Sequence, residues 1–253
     1  MKQLLKPIRV LYVVYAFVLF VVILLLIFPF VLGASFFGRV KGGNFIYRLC
    51  RLWTDLMYPL LGMWHTNIYA APFDSGHPAV FVFNHISYFD IPLIMKAIRD
   101  QPFRVLGKAE MAAFPIFGFV YRHAAVMVDR SNAEKRARSV QQLKAVISKG
   151  ISVVIAPEGT FNTTGRPLKA FYDGAFRVAI ETQTPIRPLL FPDAYNRLHY
   201  RSIFSLTPGP TTAIFLAEVP VAGLTLEDLP MLKEKVYRMM EEKLQDCKAP
   251  WIE

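Results

Sequence analysis

Asn84, His85, Ser87 and Asp90 follow directly on Val80-Phe-Val-Phe83, a run of β-branched and aromatic residues. A histidine five residues ahead of an aspartate can serve as a base. The carboxylate holds one ring nitrogen protonated and orients the ring, which leaves the other nitrogen to remove a proton from a hydroxyl. The spacing restricts how the two can meet. On a continuous helix, five residues separate two side chains by about 140°. The pair can form only if His85 lies in a turn after a strand and Asp90 stands at the entrance of a helix starting near Pro92, since proline is comfortable in a first helical turn. The same residues also fit a plainer arrangement, in which Asp90 caps the helix and His85 is a satisfied turn residue.

Other clusters lie downstream. Leu106-Gly-Lys-Ala-Glu-Met111 is followed by Pro115, Gly118 and Val126-Met-Val-Asp-Arg130. Ile155-Ala-Pro-Glu-Gly-Thr-Phe161 is again a strand emptying into a turn, and Thr184-Pro-Ile-Arg-Pro-Leu189 is a further strand entry. Lys108 and Arg130 are candidate phosphate ligands, and backbone N–H groups around Gly159 and near Ser131 could add donors to an anion.

In this order and spacing the residues resemble the glycerolipid acyltransferase family that includes the 1-acylglycerol-3-phosphate acyltransferases. Its motif N-H-x-S-x-x-D is met by Asn84, His85, Ser87 and Asp90. A lysine and glutamate block with a later proline, glycine and arginine is matched by Lys108, Glu110, Pro115, Gly118 and Arg130. P-E-G-T-R is met by Pro157, Glu158, Gly159 and Thr160, and a proline-flanked fourth motif looks like Pro185 to Pro188. The resemblance covers residues 75 to 195. It implies transfer of a fatty acyl group from acyl-CoA or acyl carrier protein, as co-substrate, to the hydroxyl of a lysophospholipid, with 1-acylglycerol-3-phosphate giving phosphatidate. His85 is then the general base and Asp90 its orienter, with Asn84, Ser87, Lys108, Arg130, Glu158, Gly159 and Thr160 as substrate contacts. Neither a cofactor nor a metal is expected.

One position departs from the pattern: Phe161 stands where the third motif has arginine. Arginine grips a phosphate with two parallel hydrogen bonds, and phenylalanine makes neither. Either another cation, such as Lys108, Arg130, Arg166 or Lys169, takes over, or the acceptor is another lyso-lipid, such as a lyso amino-acid lipid. The departure also admits a non-catalytic lipid-binding protein on the same scaffold, against which the intact His85 and Asp90 argue. A serine hydrolase is disfavoured, because no G-x-S-x-G elbow occurs.

These residues need a frame of strands ending at one edge. Apolar runs at 79–84, 104–107, 124–128, 152–156, 186–190 and 213–217 alternate with helical patterns, which predicts an α/β fold with a mixed, mostly parallel sheet flanked by helices. Helices are expected at Pro92 to Ile98, at Ser131 to Gly150 with a Ser131/Glu134 capping box, and at Leu226 to Leu244. Ahead of them, residues 10–33 carry no charge over 24 positions, enough for a helix to cross a hydrocarbon core about 30 Å thick. The run is longer than the ~7 to 15 apolar residues of a secretory signal. Phe45 to Trp64 fits an amphipathic helix, either lying in the membrane interface with Trp53 and Trp64 at headgroup depth or packed on the domain. The expected division is a membrane-anchoring segment at 1–65, a helix or helix pair, and an acyltransferase domain at 66–253.

Against 19 acidic residues stand 29 Lys and Arg, a formal charge of +10. This attracts anions, and the apolar N-terminus favours a lipid surface over nucleic acid as partner. Lys2, Lys6 and Arg9 before the apolar run and Arg39 and Lys41 after it do not orient it. The expectation is the cell membrane, with the catalytic domain on the cytoplasmic side. Cys50 and Cys247 lack the spacing of a disulfide framework or zinc site.

Overall fold

The computed structural model describes residues 5–128 and 133–252. Arg130 and Ser131, and with them the expected phosphate ligand and helix cap, lie outside the described residues. Among those described, seven strands form one sheet: β1 (Met63–Tyr69), β2 (Val80–Phe83), β3 (Phe103–Lys108), β4 (Ala125–Val128), β5 (Ser152–Ile155), β6 (Ile186–Leu190) and β7 (Gly209–Phe215). Their order is β1-β7-β6-β2-β5-β3-β4. Strands β2 to β6 run parallel, β7 is antiparallel to β6, and β1 is parallel to β7.

The helices are α1 (Leu5–Ser35), α2 (Gly43–Leu60), α3 (Asp90–Ala97), α4 (Phe117–Ala124), α5 (Ala133–Ile147), α6 (Gly174–Thr182), α7 (Ala194–Arg197) and α8 (Leu229–Asp246). Helices α5, α6 and α8 pack in sequence over β4, β5, β2 and β6, while α2 joins α3 and α4 in a second group. Strands covered on both faces read as near-continuous apolar runs, with any polar side chain partnered inside the fold. Accordingly, every residue of β2, β5 and β6 is buried. Burying a phenylalanine such as Phe81 or Phe176 contributes about 1.5–3 kcal/mol relative to leaving it exposed.

The structure departs from the expected elements at β1. The helix starting near Phe45 stops at Leu60, because Gly62 takes a left-handed backbone (φ 62°) and its N–H closes the last turn on the Pro59 carbonyl. Trp64 therefore belongs to a strand. β1 escaped the apolar pattern because its polar side chains find partners within the fold. His65 bonds Thr211 Oγ1 at 2.9 Å and Asn67 Oδ1 at 2.8 Å, and Asn67 donates to the Ala97 carbonyl at 3.0 Å. The presence of β1 also explains why β7 begins at Gly209 rather than at 213: the register Met63↔Gly209 to Thr66↔Thr212 adds its first residues. β1 crosses the expected boundary at residue 65. Trp53 is packed edge-to-face on Phe20 of α1, with ring centroids 4.8 Å apart, whereas Trp64 is exposed.

The apolar N-terminal run forms a helix of 31 residues, about 46 Å long at 1.5 Å per residue. It does not stand clear of the domain. After a turn at residues 36–37 and a short π-helix (Gly38–Gly42), α2 runs back along it, and the Tyr12 and Tyr15 hydroxyls donate to the Leu61 and Leu60 carbonyls at 2.7 and 3.0 Å. Ala16, Ile23, Ile27, Val31 and Ala34 are buried on one stripe. Buried Arg104 of β3 ties the tip of the hairpin down, donating to Asn44 Oδ1 at 2.8 Å and to the Arg39 carbonyl at 3.1 Å. The outer faces stay apolar: Leu11, Phe17, Leu26 and Phe30 on α1, and Phe45, Leu52, Leu56 and Leu60 on α2, are exposed.

Candidate active site

The parallel strands β2, β3, β4 and β5 end at one edge of the sheet, and the candidate residues follow those ends. After β2, the Asn84 side chain turns inward. Its Oδ1 accepts the Phe191 N–H at 2.8 Å and joins the ends of β2 and β6. Ser87, fully buried, accepts the Phe89 N–H at 2.9 Å and donates to the Leu198 carbonyl. Both side chains shape the turn that presents His85.

His85 and Asp90 meet through a strand, a turn and a helix. Nδ1 of His85 lies 2.6 Å from Asp90 Oδ2, and the same oxygen accepts the N–H groups of Ile86 and Ser87 at 3.2 Å each. Asp90 is the first residue of α3, where the helix N-terminus favours a negative charge. It is 1% exposed, against 28% for the imidazole. Burial pushes the Asp90 carboxyl above its usual range, while the imidazole and the two amides pull it back. A carboxylate accepts only, so the Nδ1 hydrogen points at Asp90. Among the described residues Nε2 has no partner, which leaves its lone pair unengaged on a ring that is partly exposed.

The turn after β5 braces His85 from below. Glu158 is fully buried, and each of its oxygens accepts one backbone N–H at 2.8 Å, Oε1 from His85 and Oε2 from Lys169. Burial pushes this carboxyl up to about 8. Gly159 makes the turn with a left-handed backbone (φ 74°), which favours glycine. The exposed Thr160 hydroxyl accepts from Lys169 Nζ at 2.8 Å. Asn162, which sequence reasoning missed, donates its N–H to the His85 carbonyl at 2.8 Å and organises the loop beyond with its side chain. The Asn-Thr-Thr-Gly stretch at 162–165 carried that signal as a turn signature.

Phe161 packs on the candidate base itself. Its ring centroid lies 4.4 Å from that of His85 and 4.8 Å from Tyr88, with Tyr200 stacked at 6.1 Å. Lys108 is exposed at the end of β3, two strands away from β2 in the sheet order. Glu110 is exposed, and Gly118 lies so close to the Ala112 carbonyl that a Cβ would collide with it. Arg187, within the proline-flanked segment, is not brought to the pair. It is buried on β6, with Nε 2.5 Å from Glu218 Oε2 and its guanidinium over the rings of Phe73 and Phe81.

This architecture is that of an α/β protein carrying a histidine and carboxylate pair at the carboxyl edge of a mostly parallel sheet. The family profile described as Acyltransferase matches residues 65–191, and the chain belongs to the glycerolipid acyltransferase family. It is 28% identical to a 1-acyl-sn-glycerol-3-phosphate acyltransferase of Cocos nucifera over 70% of this chain and 58% of that protein. Against the human 1-acyl-sn-glycerol-3-phosphate acyltransferase beta it is 27% identical, over 65% of this chain and 59% of the relative. The matched part is thus less than two thirds of either relative's length. A lyso-ornithine lipid O-acyltransferase of Pseudomonas aeruginosa is 31% identical over 54% of each chain. The fold is shared with the crystal structure of the 1-acyl-sn-glycerophosphate acyltransferase PlsC from Thermotoga maritima, at a TM-score of 0.75 and 20% identity over 98% of this chain and 100% of that one.

Proposed function

We propose that the protein transfers a fatty acyl group from a thioester, acyl-CoA or acyl carrier protein, to the hydroxyl of a lysophospholipid, with 1-acylglycerol-3-phosphate giving phosphatidate. The observation that carries this reading is the 2.6 Å contact of His85 Nδ1 with Asp90, with Nε2 unpartnered among the described residues. In this scheme Nε2 takes the hydroxyl proton as the alcohol oxygen attacks the thioester carbonyl carbon. The C–O bond forms, the C–S bond breaks, and the imidazolium returns the proton to the departing sulfur as a thiol. Asp90 stabilises the imidazolium between the two steps. Lys108 and Arg130 are the cations assigned to the acceptor phosphate. Asn84, Ser87 and Glu158 act through the backbone they hold, and the turn at Gly159 and Thr160 borders the substrate.

The exposed apolar faces of α1 and α2 support seating on a membrane, the source of a lipid acceptor. The hairpin's side-on packing fits insertion along the surface, and the cytoplasmic side is the one proposed for the domain.

Phe161 favours a second reading of the acceptor. A ring packed on His85 offers no donor to a phosphate, which fits a lyso amino-acid lipid, and a lyso-ornithine lipid enzyme is among the relatives. To decide, purified protein in detergent is given acyl-CoA or acyl carrier protein thioester with labelled lysophosphatidate or lyso-ornithine lipid. Phosphatidate as the main product supports the first acceptor, and acylated ornithine lipid the second. Lipid binding without product from any pair would leave the non-catalytic scaffold.

A further inference from the structure

A cavity of about 550 Å³ opens beside the turn that braces His85. Arg166, Lys169 and Lys233 bring three cations to its wall, Phe171 and Tyr237 bring aromatic surface, and Glu234 brings a carboxylate. That carboxylate is already paired, 2.6 Å from Arg238, and Lys233 faces Asp173 at 2.6 Å. The Arg166 guanidinium has no partner among the described residues. Tyr237 is half-buried, edge-to-face on Phe171 with centroids 5.0 Å apart. Cations grouped around aromatic surface suit a phosphate ester joined to a flat ring, and the volume falls in the range of roughly 300–1,000 Å³ common for small-molecule sites.

Two connections join this cavity to His85. Lys169 N–H and His85 N–H occupy the two oxygens of Glu158 at 2.8 Å each. Lys169 Nζ holds Thr160 Oγ1 at 2.8 Å, next in the chain to Phe161, whose ring packs on the imidazole. A ligand held by Lys169 therefore contacts a residue that is joined to the base through Glu158.

We propose that this cavity seats the nucleotide end of an acyl-CoA donor, with its phosphates on Arg166, Lys169 and Lys233 and its base against Tyr237. The assignment rests on the acyl-transfer reading and deepens it by choosing between the two donors. A groove of about 550 Å³ can receive a nucleotide along its wall, whereas an acidic carrier protein would touch only its rim.

The test uses the full chain. Adenosine 3′,5′-bisphosphate is titrated by calorimetry into the His85→Ala protein, so that binding is read without turnover. Saturable binding is expected, weakened about tenfold or more by Arg166→Glu, as loss of a charge-assisted contact predicts. In turnover, Lys233→Gln should raise KM for acyl-CoA by about tenfold, with kcat within about twofold, and leave turnover with acyl carrier protein thioester unchanged. Unaltered melting temperatures verify folding, and Tyr237→Ala, which removes the ring and no charge, serves as an independent variant with the same expected rise in KM. No bisphosphate binding, or binding indifferent to Arg166→Glu, overturns the proposal. A KM rise shared by the carrier-protein donor overturns it in favour of protein docking. Failure of the acyl-transfer reading looks different: no product from either donor, whatever the bisphosphate does.

Discussion

His85 and His77 both lie against carboxylates, at opposite ends of β2. His77 precedes the strand and is bonded at both nitrogens: Nδ1 is 3.2 Å from Asp74 Oδ2, and Nε2 is 3.1 Å from Glu218 Oε2 and from Arg187 Nη2. Its carboxylates are 74% and 33% exposed. His85 follows the strand and, among the described residues, is bonded at one nitrogen, to a carboxylate 1% exposed. An imidazole with both nitrogens engaged acts as a strut between loops. One held by a single buried carboxylate keeps a lone pair for chemistry. Residue types alone do not separate the two cases, but the number of occupied nitrogens and the burial of the acid do.

The sharpest test of this contrast is His85→Ala, which should lower kcat by roughly 10²–10⁴, the usual contribution of a general base. Asp90→Asn should follow, because the amide can turn its own donor toward the imidazole and favour the wrong tautomer. Equal losses from His77→Ala would break the comparison. At the other end, Glu218→Ala leaves buried Arg187 without its carboxylate and should destabilise the fold by about 3 kcal/mol, read by denaturant unfolding, with kcat for the folded fraction unchanged.

Glu158 gives a pH-dependent prediction. Its carboxyl is raised from 4.5 to about 8 in the folded chain, so the folded state holds a proton that the unfolded chain releases. The associated stability is fully present below about 4.5 and is lost as pH rises through about 8. The melting temperature of the native chain, measured relative to Glu158→Gln, should therefore fall from pH 5 to pH 9. A flat difference would show that the carboxyl stays ionised on its two N–H donors. The smallest effect is expected from His77→Ala, whose exposed contacts contribute under about 1 kcal/mol. Stability and turnover should both stay close to native.

The strand, turn and helix around His85 were legible because each step has a local cause: the apolar run of β2, the inward Asn84 and Ser87, and Pro92 in the first turn of α3. β1 was not legible, since His65 and Asn67 look exposed until Thr211 and Ala97 arrive from distant parts of the chain. Glu158 reads in the sequence as a substrate contact. In the fold both its oxygens are taken by backbone N–H groups, one of them 73 residues away. Phe161 reads as a lost arginine, and the fold adds where its ring goes, onto the imidazole.

By itself the sequence determined the alternation of strands and helices and the apolar N-terminal helix, set by periodicity over a few residues, while the candidate base and its acid were marked out by the resemblance of several motifs to one family. Only the tertiary structure decided that α1 lies folded against the domain, that Phe161 packs on the base and that three cations gather around one cavity. These contacts join residues far apart in the chain, and which of them meet depends on the order in which the strands pair.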